Sequence, residues 1–472
     1  MNYLINTIFS PKILKQLLFF CISTILLFFA LYINIKGPYW LLLLGLFSFA
    51  VLVFIAYRSP LLTIFLLFLT GITPQIFQMT KMLPAKPTDI GGGFNAPDVV
   101  VLGMVVALII KGLIFVKINT NKKTLGIKPY IILFIALILF EILRNITDYG
   151  LSAPGEFRYR YLILAIPLYV SQFFNSEKSR KRLLKMLIFC SVILTLTCIP
   201  IIGMIKGWSV GPDSRFLPSA ITLGLVYGLL ALLLAKKYAK LQLKNTLIWT
   251  LTCLVLTLVL IDSHRSVWIS TIAIIITMFF LGEIKLTKIW KWGLPVLLAI
   301  FIVWQIVNKS GLDVLDYIKE RGSEIVTLKE KSTAAWRVAL WEAQFQKFLK
   351  KPILGYGFGD YWKVYVPQFK NTKNVSPHSL YVQSLVKIGI LGLVIYLLIM
   401  FKLFCSFIIW LRRKKTHNFE SAIAITGLVV LIASHVYYSV YAFEYYTMLF
   451  LGLGVATIQH EKQENSDKCL MK

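Results

Sequence analysis

The sequence predicts an all-α integral membrane protein with about 12–14 transmembrane helices and one large external loop that contains short helices. Hydrophobic residues make up 58% of the chain and charged residues only 15%, whereas about 25% of the residues in a soluble domain are charged. Apolar runs of roughly 18 residues or more recur, and each is long enough to cross a bilayer as a helix. An outer-membrane barrel would instead show alternating segments of about ten residues.

The predicted spans follow one another with short hydrophilic breaks between them. We place them near residues 17–34, 38–56, 60–78, 98–116, 129–146, 161–174, 183–203, 219–235, 246–262, 266–282, 292–307, 385–411, 421–440 and 443–459. The first is too long for a signal peptide and lacks its small-residue cleavage site, so it is predicted to stay in the chain. With the amino terminus inside, every lysine-rich break falls inside and the longest polar segment falls outside.

The chain carries a formal net charge of +29, but the positions of the charges argue against nucleic-acid binding. Lysine and arginine cluster in five short breaks, Lys117–Lys128, Lys178–Lys185, Lys236–Lys244, Lys285–Lys291 and Arg412–Lys415. This is the pattern of the positive-inside bias, and attraction to anionic lipid adds about 1 kcal/mol per charge. We therefore predict membrane lipids, and no nucleic acid, as partners of these segments. No disulfide framework is predicted, because none of the six cysteines lies in the long outer segment.

One long polar segment divides the chain into three parts. Residues 1–307 hold eleven predicted spans, residues 308–384 form the external loop, and residues 385–472 hold three spans and a cytoplasmic tail. Segments of this length are usually functional or disordered, and this one holds too many aromatic residues for disorder. It contains WRVALW at Trp336–Trp341, PILGYGFG at Pro352–Gly359 and PHSLYVQ at Pro377–Gln383.

Charged side chains inside or beside spans are candidates for function, because placing them in a membrane is costly. Arg265 lies between two apolar runs, which leaves two interpretations: an arginine that reaches to the membrane surface, or a clamp for an anion such as phosphate. Arg158 and Arg160 precede the sixth span and Arg215 precedes the eighth, so these three are further candidates for contacts with an anion.

The segment 332–351 predicts an amphipathic helix that ends before Pro352. Its predicted apolar stripe consists of Trp336, Leu340, Trp341, Phe345, Phe348 and Leu349. Arg337 lies beside this stripe, one turn before Trp341. It either reaches a site at the membrane surface or remains a solvated charge near Glu342.

His378 is predicted to lie at the start of the twelfth span, with Ser376 as the helix cap and Pro377 in the first turn. The positive end of a helix disfavours imidazolium, so the ring would be held neutral, as a general base requires. Tyr381 lies one turn further on, where it would flank the imidazole. The alternative is a histidine with a purely structural role.

The glycine-rich turn at Pro352–Gly359 is not a Walker loop, because no Gly-Lys-Ser/Thr follows it. The chain contains no D-x-D triplet, which argues against a carboxylate-held divalent metal for a nucleotide sugar, and no cofactor is predicted. The rings of Tyr356, Tyr361, Trp362 and Tyr365 would suit sugar rings and an interfacial aromatic belt equally well.

Arginines and a neutral histidine beside a membrane predict a substrate that is anionic and lipid-tethered, such as a polyprenyl diphosphate that carries a sugar chain. Five motifs occur in order: S-x-R at Ser263–Arg265, R-x-x-x-W at Arg337–Trp341, P-x-x-G-x-G at Pro352–Gly357, P-H-S-x-Y at Pro377–Tyr381 and IGILGL at Ile388–Leu393. Together they resemble the O-antigen ligase and O-antigen polymerase superfamily over roughly Leu251–Met400. The chain departs from many members at Ser379, where they have Asn, and at His264, where they have a small residue.

The resemblance implies a GT-C-like, metal-independent, inverting glycosyltransferase in the bacterial inner membrane. The implied donor is an undecaprenyl-diphosphate-linked glycan, and the implied acceptor is a hydroxyl of lipid A–core or of another repeat unit, on the periplasmic face. The resemblance assigns Arg265 and Arg337 to the charge of the diphosphate and the base role to His378. Predicted substrate contacts are Arg158, Arg160, Arg215, Trp341 and Tyr381.

Two other classes of function are weighed against this one. A flippase for lipid-linked oligosaccharide would suit the many spans and the positive charge, but two comparable halves and short outer loops are expected of it. A non-catalytic scaffold of an envelope complex would explain the aromatic residues but not the placement of the arginines and the histidine.

Overall fold

The computed structural model describes residues 39–71, 96–115, 128–150, 153, 156, 161–204, 219–239, 241–261, 264–284, 290–309, 333–359, 363–366, 371–374, 377–413, 418–441 and 443–470. These residues form α1 (Tyr39–Arg58), α2 (Pro60–Gly71), α3 (Ala96–Phe115), α4 (Lys128–Tyr149), a 3₁₀ turn (Leu162–Leu164), α5 (Ala165–Phe173), α6 (Glu177–Met204), α7 (Ser219–Ala239), α8 (Asn245–Ile261), α9 (Arg265–Phe280), α10 (Trp290–Lys309), α11 (Thr333–Lys350), β1 (Lys363–Val366), β2 (Asn371–Asn374), α12 (Leu380–Arg413), α13 (Phe419–Tyr438) and α14 (Tyr445–Leu470).

The prediction of an all-α membrane protein is confirmed. Each predicted span from the second onward coincides with helical residues, and the first, at 17–34, lies outside the described residues. Among the described residues, four helical stretches within α4, α7, α12 and α13 could each cross a membrane by length and composition, and six further apolar helical stretches are 10–17 residues long. The polar segment 308–384 contains a two-stranded antiparallel hairpin, β1–β2, which was not predicted from the sequence.

The helices differ in how much of their apolar surface they bury. The apolar stretches of α7 and α13 are 78% buried, whereas those of α4 and α12 are 28% and 39% buried. A helix that is apolar all round and buried lies inside a bundle, and one that exposes apolar residues faces lipid. Small residues let the inner helices approach closely: a Cβ added to Gly427 of α13 would lie 2.9 Å from the Cα of Gly454 in α14.

Helix α12 is broken at Gly389, which has φ 66° and ψ −173°. The glycine-rich turn after α11 fills the break. The N–H groups of Ile390 and Leu391 donate to the carbonyls of Pro352 and Ile353, at 2.8 and 3.3 Å. In the other direction, the N–H groups at 356 and 357 donate to the carbonyls at 386 and 387, both at 2.8 Å. A helix break inside a membrane protein requires such partners, because water is not there to supply them.

The close contact explains why two glycines face each other at this point. Gly355 and Gly389 both have positive φ, 72° and 66°, and such backbone conformations cost a residue with a side chain about 1–3 kcal/mol. A Cβ on Gly355 would lie 2.7 Å from the backbone N of Gly389. The P-x-x-G-x-G motif is therefore a structural element that joins the loop to α12.

Gly389→Ala is expected to destabilise the protein, because the new Cβ would lie 2.1 Å from the carbonyl oxygen of Ile353. Thermal unfolding of the purified protein in detergent should shift down by several degrees. Gly112→Ala is the matched control, since nothing lies within 4 Å of a Cβ at that position of α3 and alanine favours a helix over glycine. Equal melting temperatures for the two variants would contradict this account of the break.

Candidate functional site

Tyr441 contacts the segments of the chain that were predicted to form the site. It follows α13, in the turn toward α14, and is half-buried. Its carbonyl accepts a hydrogen bond from the N–H of Leu380 at 3.0 Å, which ties this turn to the start of α12. Its ring stacks on that of Tyr437, with centroids 5.0 Å apart and an interplanar angle of 18°.

Three side chains from distant parts of the sequence surround the Tyr441 ring. The imidazole of His378 lies 6.2 Å away between ring centroids, and that of His264 lies 6.4 Å away. The guanidinium carbon of Arg337 lies over the ring, 5.5 Å from its centroid. We call His264, Arg337, His378 and Tyr441 the Tyr441 cluster. Arg265 directly follows His264 as the first residue of α9, so the structure brings all three predicted catalytic segments to one place.

His378 lies just outside its helix, which corrects the sequence prediction. Helix α12 begins at Leu380, and the N–H of Val382 points to the Ser379 hydroxyl at 3.5 Å. The cap is therefore Ser379, and the predicted cap Ser376 lies outside the described residues. His378 has φ 50°, a left-handed conformation that few residues with side chains adopt and that is enriched at functional sites.

Helix α11 fixes the backbone beside this histidine. The indole N–H of Trp341 donates to the carbonyl of Pro377 at 2.6 Å, and the Trp336 ring lies 6.1 Å from the His378 imidazole. The predicted substrate contact Trp341 therefore uses its polar atom to hold the His378 segment. Tyr381, the other aromatic candidate, donates its hydroxyl to the carbonyl of His435 at 3.1 Å, which links α12 to α13.

The apolar stripe predicted for α11 is divided between two environments. Leu340 and Phe348 are buried, at 0% and 8% exposure, whereas Phe345 and Leu349 are 46% and 51% exposed. Leu340 packs in one cluster with Val366 of the hairpin. The helix therefore contacts the rest of the described structure on only part of its apolar stripe.

A buried ion pair lies at the break in α12. The Lys387 ammonium is 2.9 Å from Glu156 Oε2, and the two side chains are 1% and 5% exposed. The same carboxylate oxygen accepts the N–H of Gly359 at 2.7 Å. Asn145 of α4 donates to the carbonyls of Tyr356 and Phe358, at 2.7 and 2.9 Å. The glycine-rich turn is thus bound on three sides.

Sequence reasoning missed Glu156, Lys387 and Tyr441. A signal for Lys387 was present, because a lysine inside the predicted span 385–411 is an intramembrane charge and therefore a candidate by default. No pattern in the sequence marks Tyr441, whose neighbours come from segments that are far apart along the chain.

Arg158, Arg160 and Arg215 lie outside the described residues. The chain on either side of the first two is anchored near α12: Glu156 binds Lys387, and the Tyr161 hydroxyl lies 3.3 Å from the Ser384 hydroxyl. Across the part of the chain that the structure describes, no three His, Cys, Asp or Glu side chains come together as metal ligands.

A comparison with known families covers this site. Residues 249–397 match the family model described as O-antigen ligase. The superfamily resemblance predicted from the sequence is thereby confirmed. No curated protein matches the chain. The O-antigen ligase segment includes His264, Arg265, Arg337 and His378, and the family implies a glycosyltransferase-like ligase activity on lipid-linked glycan and an acceptor. Tyr441 lies beyond the matched residues.

The buried ion pair gives a prediction about stability. Lys387→Met leaves the Glu156 carboxylate buried without its counter-charge, and Glu156→Gln removes the carboxylate beside the buried ammonium, so each is expected to cost about 3–5 kcal/mol. The double variant removes both charges and keeps an amide oxygen for Gly359, so it should be more stable than either single variant. Thermal unfolding in detergent measures this, and a double variant with the summed loss of both singles would contradict the pairing.

Proposed function

We propose that the chain is a membrane glycosyltransferase of the O-antigen ligase or polymerase type. It transfers glycan from an undecaprenyl-diphosphate-linked donor to an acceptor hydroxyl of lipid A–core or of another repeat unit. The single observation that supports this proposal is the Tyr441 cluster. His378, Arg337 and His264, which directly precedes Arg265, all lie beside the Tyr441 ring. These residues also lie within the region that matches the family model.

The chemistry that we assign is one displacement at the anomeric carbon of the donor sugar. His378 accepts the proton of the acceptor hydroxyl as the acceptor oxygen forms its bond to that carbon. The bond between the carbon and the phosphate oxygen breaks, and the electron pair leaves with the polyprenyl diphosphate. Arg265 and Arg337 stabilise the charge on this leaving group, so the step needs no metal. A single displacement inverts the anomeric configuration.

Further contacts with the donor are assigned to the outer arginines. Arg158 and Arg160 follow Glu156 within four residues, and Glu156 is fixed to Lys387 beside the site. Arg215, Trp341 and Tyr381 complete the proposed substrate contacts, and Trp341 and Tyr381 also bind the backbone carbonyls of Pro377 and His435 through their polar atoms. The five basic breaks lie inside by the positive-inside bias, so the proposed site faces the periplasm across the inner membrane.

Replacing His378 tests the base role. Asn tolerates the left-handed conformation, so His378→Asn preserves the backbone at φ 50° and removes the imidazole. We expect His378→Asn and His378→Ala to lose glycan product at a normal protein level, measured by glycan profiling of cells and by transfer from purified donor in vesicles. An unchanged glycan profile in the His378→Asn variant would show that His378 is not the general base.

The same profiles separate the two acceptor types. A ladder of glycan lengths that collapses to one repeat indicates a polymerase. Loss of all attached glycan, with the lipid-linked pool retained, indicates a ligase.

The aromatic ring of Tyr441 is expected to position the Arg337 guanidinium. A cation–π contact contributes about 0.5–2 kcal/mol, so Tyr441→Leu should lower transfer roughly tenfold, chiefly through the KM for the diphosphate donor. Tyr441→Phe keeps the ring and should retain most of the activity. Steady-state kinetics in vesicles measure both, and equal losses for the two variants would show that the ring does not position Arg337.

A further inference from the structure

Helix α11 has a second apolar face that the described part of the chain leaves exposed. Its buried face contains Leu340 and Phe348. On the other side Phe345 and Leu349 are 46% and 51% exposed, and Ile353, just beyond the helix, is 66% exposed. We call Phe345, Leu349 and Ile353 the exposed stripe. Phe345 and Leu349 lie four residues apart, so they share one side of the helix.

The exposed stripe continues a surface that faces lipid. From Ile390 onward α12 exposes large apolar residues, with Ile390 at 44%, Leu391 at 41% and Val394 at 43% exposure, as expected of a helix long and apolar enough to cross a bilayer. Ile353 is joined to this surface directly, because its carbonyl accepts the N–H of Leu391 at 3.3 Å. This backbone bond therefore joins the exposed apolar surface of the span to the end of the loop segment that carries the exposed stripe.

The part of α12 before the break is covered by α11 instead of lipid. From Leu380 to Gly389 every side chain is buried or half-buried, and Phe348 of α11 packs with Val386. Helix α11 thus takes the place of lipid on one side of α12 and turns its own outer apolar face toward the same surroundings.

The break also changes the direction of α12. Tyr381 and Tyr396 lie on either side of Gly389, and their ring centroids are 6.5 and 6.2 Å from the His435 ring. In a continuous α-helix the Cα atoms of residues this far apart in sequence would be about 22 Å apart. The break therefore lets residues on both sides of Gly389 contact the same histidine of α13.

Two exposed lysines lie next to the exposed stripe. Lys350 and Lys351 are exposed and lie between Leu349 and Ile353 in the chain. A lysine beside apolar residues places its stem along apolar surface and its ammonium among anionic headgroups. Exposed lysines and an exposed apolar stripe at the same end of a helix are the pattern of a helix that lies in a membrane interface.

We propose that α11 is an interfacial helix whose exposed stripe inserts into the adjoining lipid leaflet, with Lys350 and Lys351 at the phosphates of anionic phospholipids. Arg337 lies two turns before Phe345 on the same helix, so insertion fixes the Tyr441 cluster at the level of the lipid headgroups. The proposal concerns the membrane contact alone and does not depend on the proposed transferase activity.

Photo-crosslinking in a bilayer tests the contact. The amino acid p-benzoylphenylalanine replaces Phe345, Leu349 or Ile353, one position at a time, and Gln346 serves as the matched control because it is exposed on a neighbouring, polar side of the same helix. The half-exposed positions leave room for the larger side chain. The full-length protein is placed in nanodiscs of phosphatidylethanolamine and phosphatidylglycerol without any polyprenyl lipid, and lipid adducts are counted by mass spectrometry after illumination.

We expect several-fold more phospholipid adducts at the three stripe positions than at Gln346. Equal yields at all four positions would overturn the proposal, as would adducts to the chain itself or to a second copy. Lipid adducts that form only after addition of a polyprenyl diphosphate would also overturn it, because the stripe would then be a groove for a substrate chain. Absence of glycan transfer by the unsubstituted protein, with intact crosslinking in the variants, would count against the proposed function and leave the membrane contact standing.

Discussion

The insertion of the glycine-rich turn into the break of α12 is the interaction on which the rest of the structure depends. Four backbone hydrogen bonds join the two segments around Gly389. Helix α11, which carries Arg337, ends immediately before this turn, and the first residues of α12 follow His378. The relative position of the cation and the candidate base is therefore set by backbone bonds in an apolar environment, where an unmade bond is costly. A continuous α12 would leave the loop without this attachment.

The buried pair of Glu156 and Lys387 adds a second attachment at the same place. Burial of two charges is not a strong source of stability, because desolvation offsets their attraction. Its consequence here is positional: the carboxylate binds both the ammonium and the N–H of Gly359, so the chain leading to Arg158 and Arg160 starts from a fixed point beside α12. The pair therefore orders the loop segments, at a cost of charge desolvation.

Much of the fold follows from the sequence, whereas the assembly of the site does not. Length and apolarity place helices well, although the predicted span at 385–411 begins five residues after α12, because Gln383 and Ser384 are polar yet buried. The P-x-x-G-x-G turn was visible, but its partner in the break at Gly389 was not, since a glycine in an apolar run is common in spans. Tyr441 shows the limit most clearly. Its neighbours at 264, 337 and 378 reach it only through tertiary packing, and local pattern holds no information about such contacts.

The environment of the cations bears on how this site would hold an anion. Tyr437 stacks on one face of the Tyr441 ring and the Arg337 guanidinium lies over the ring as well, so Tyr441 offers little open face for a sugar. Tyr356 likewise has the ammonium groups of Lys347 and Lys351 at 4.8 and 4.9 Å from its centroid. A carboxylate partner would neutralise a cation, whereas an aromatic ring positions it and leaves its full charge. The Tyr441 ring therefore positions the Arg337 guanidinium without neutralising it, and this supports the contact with a diphosphate that we propose.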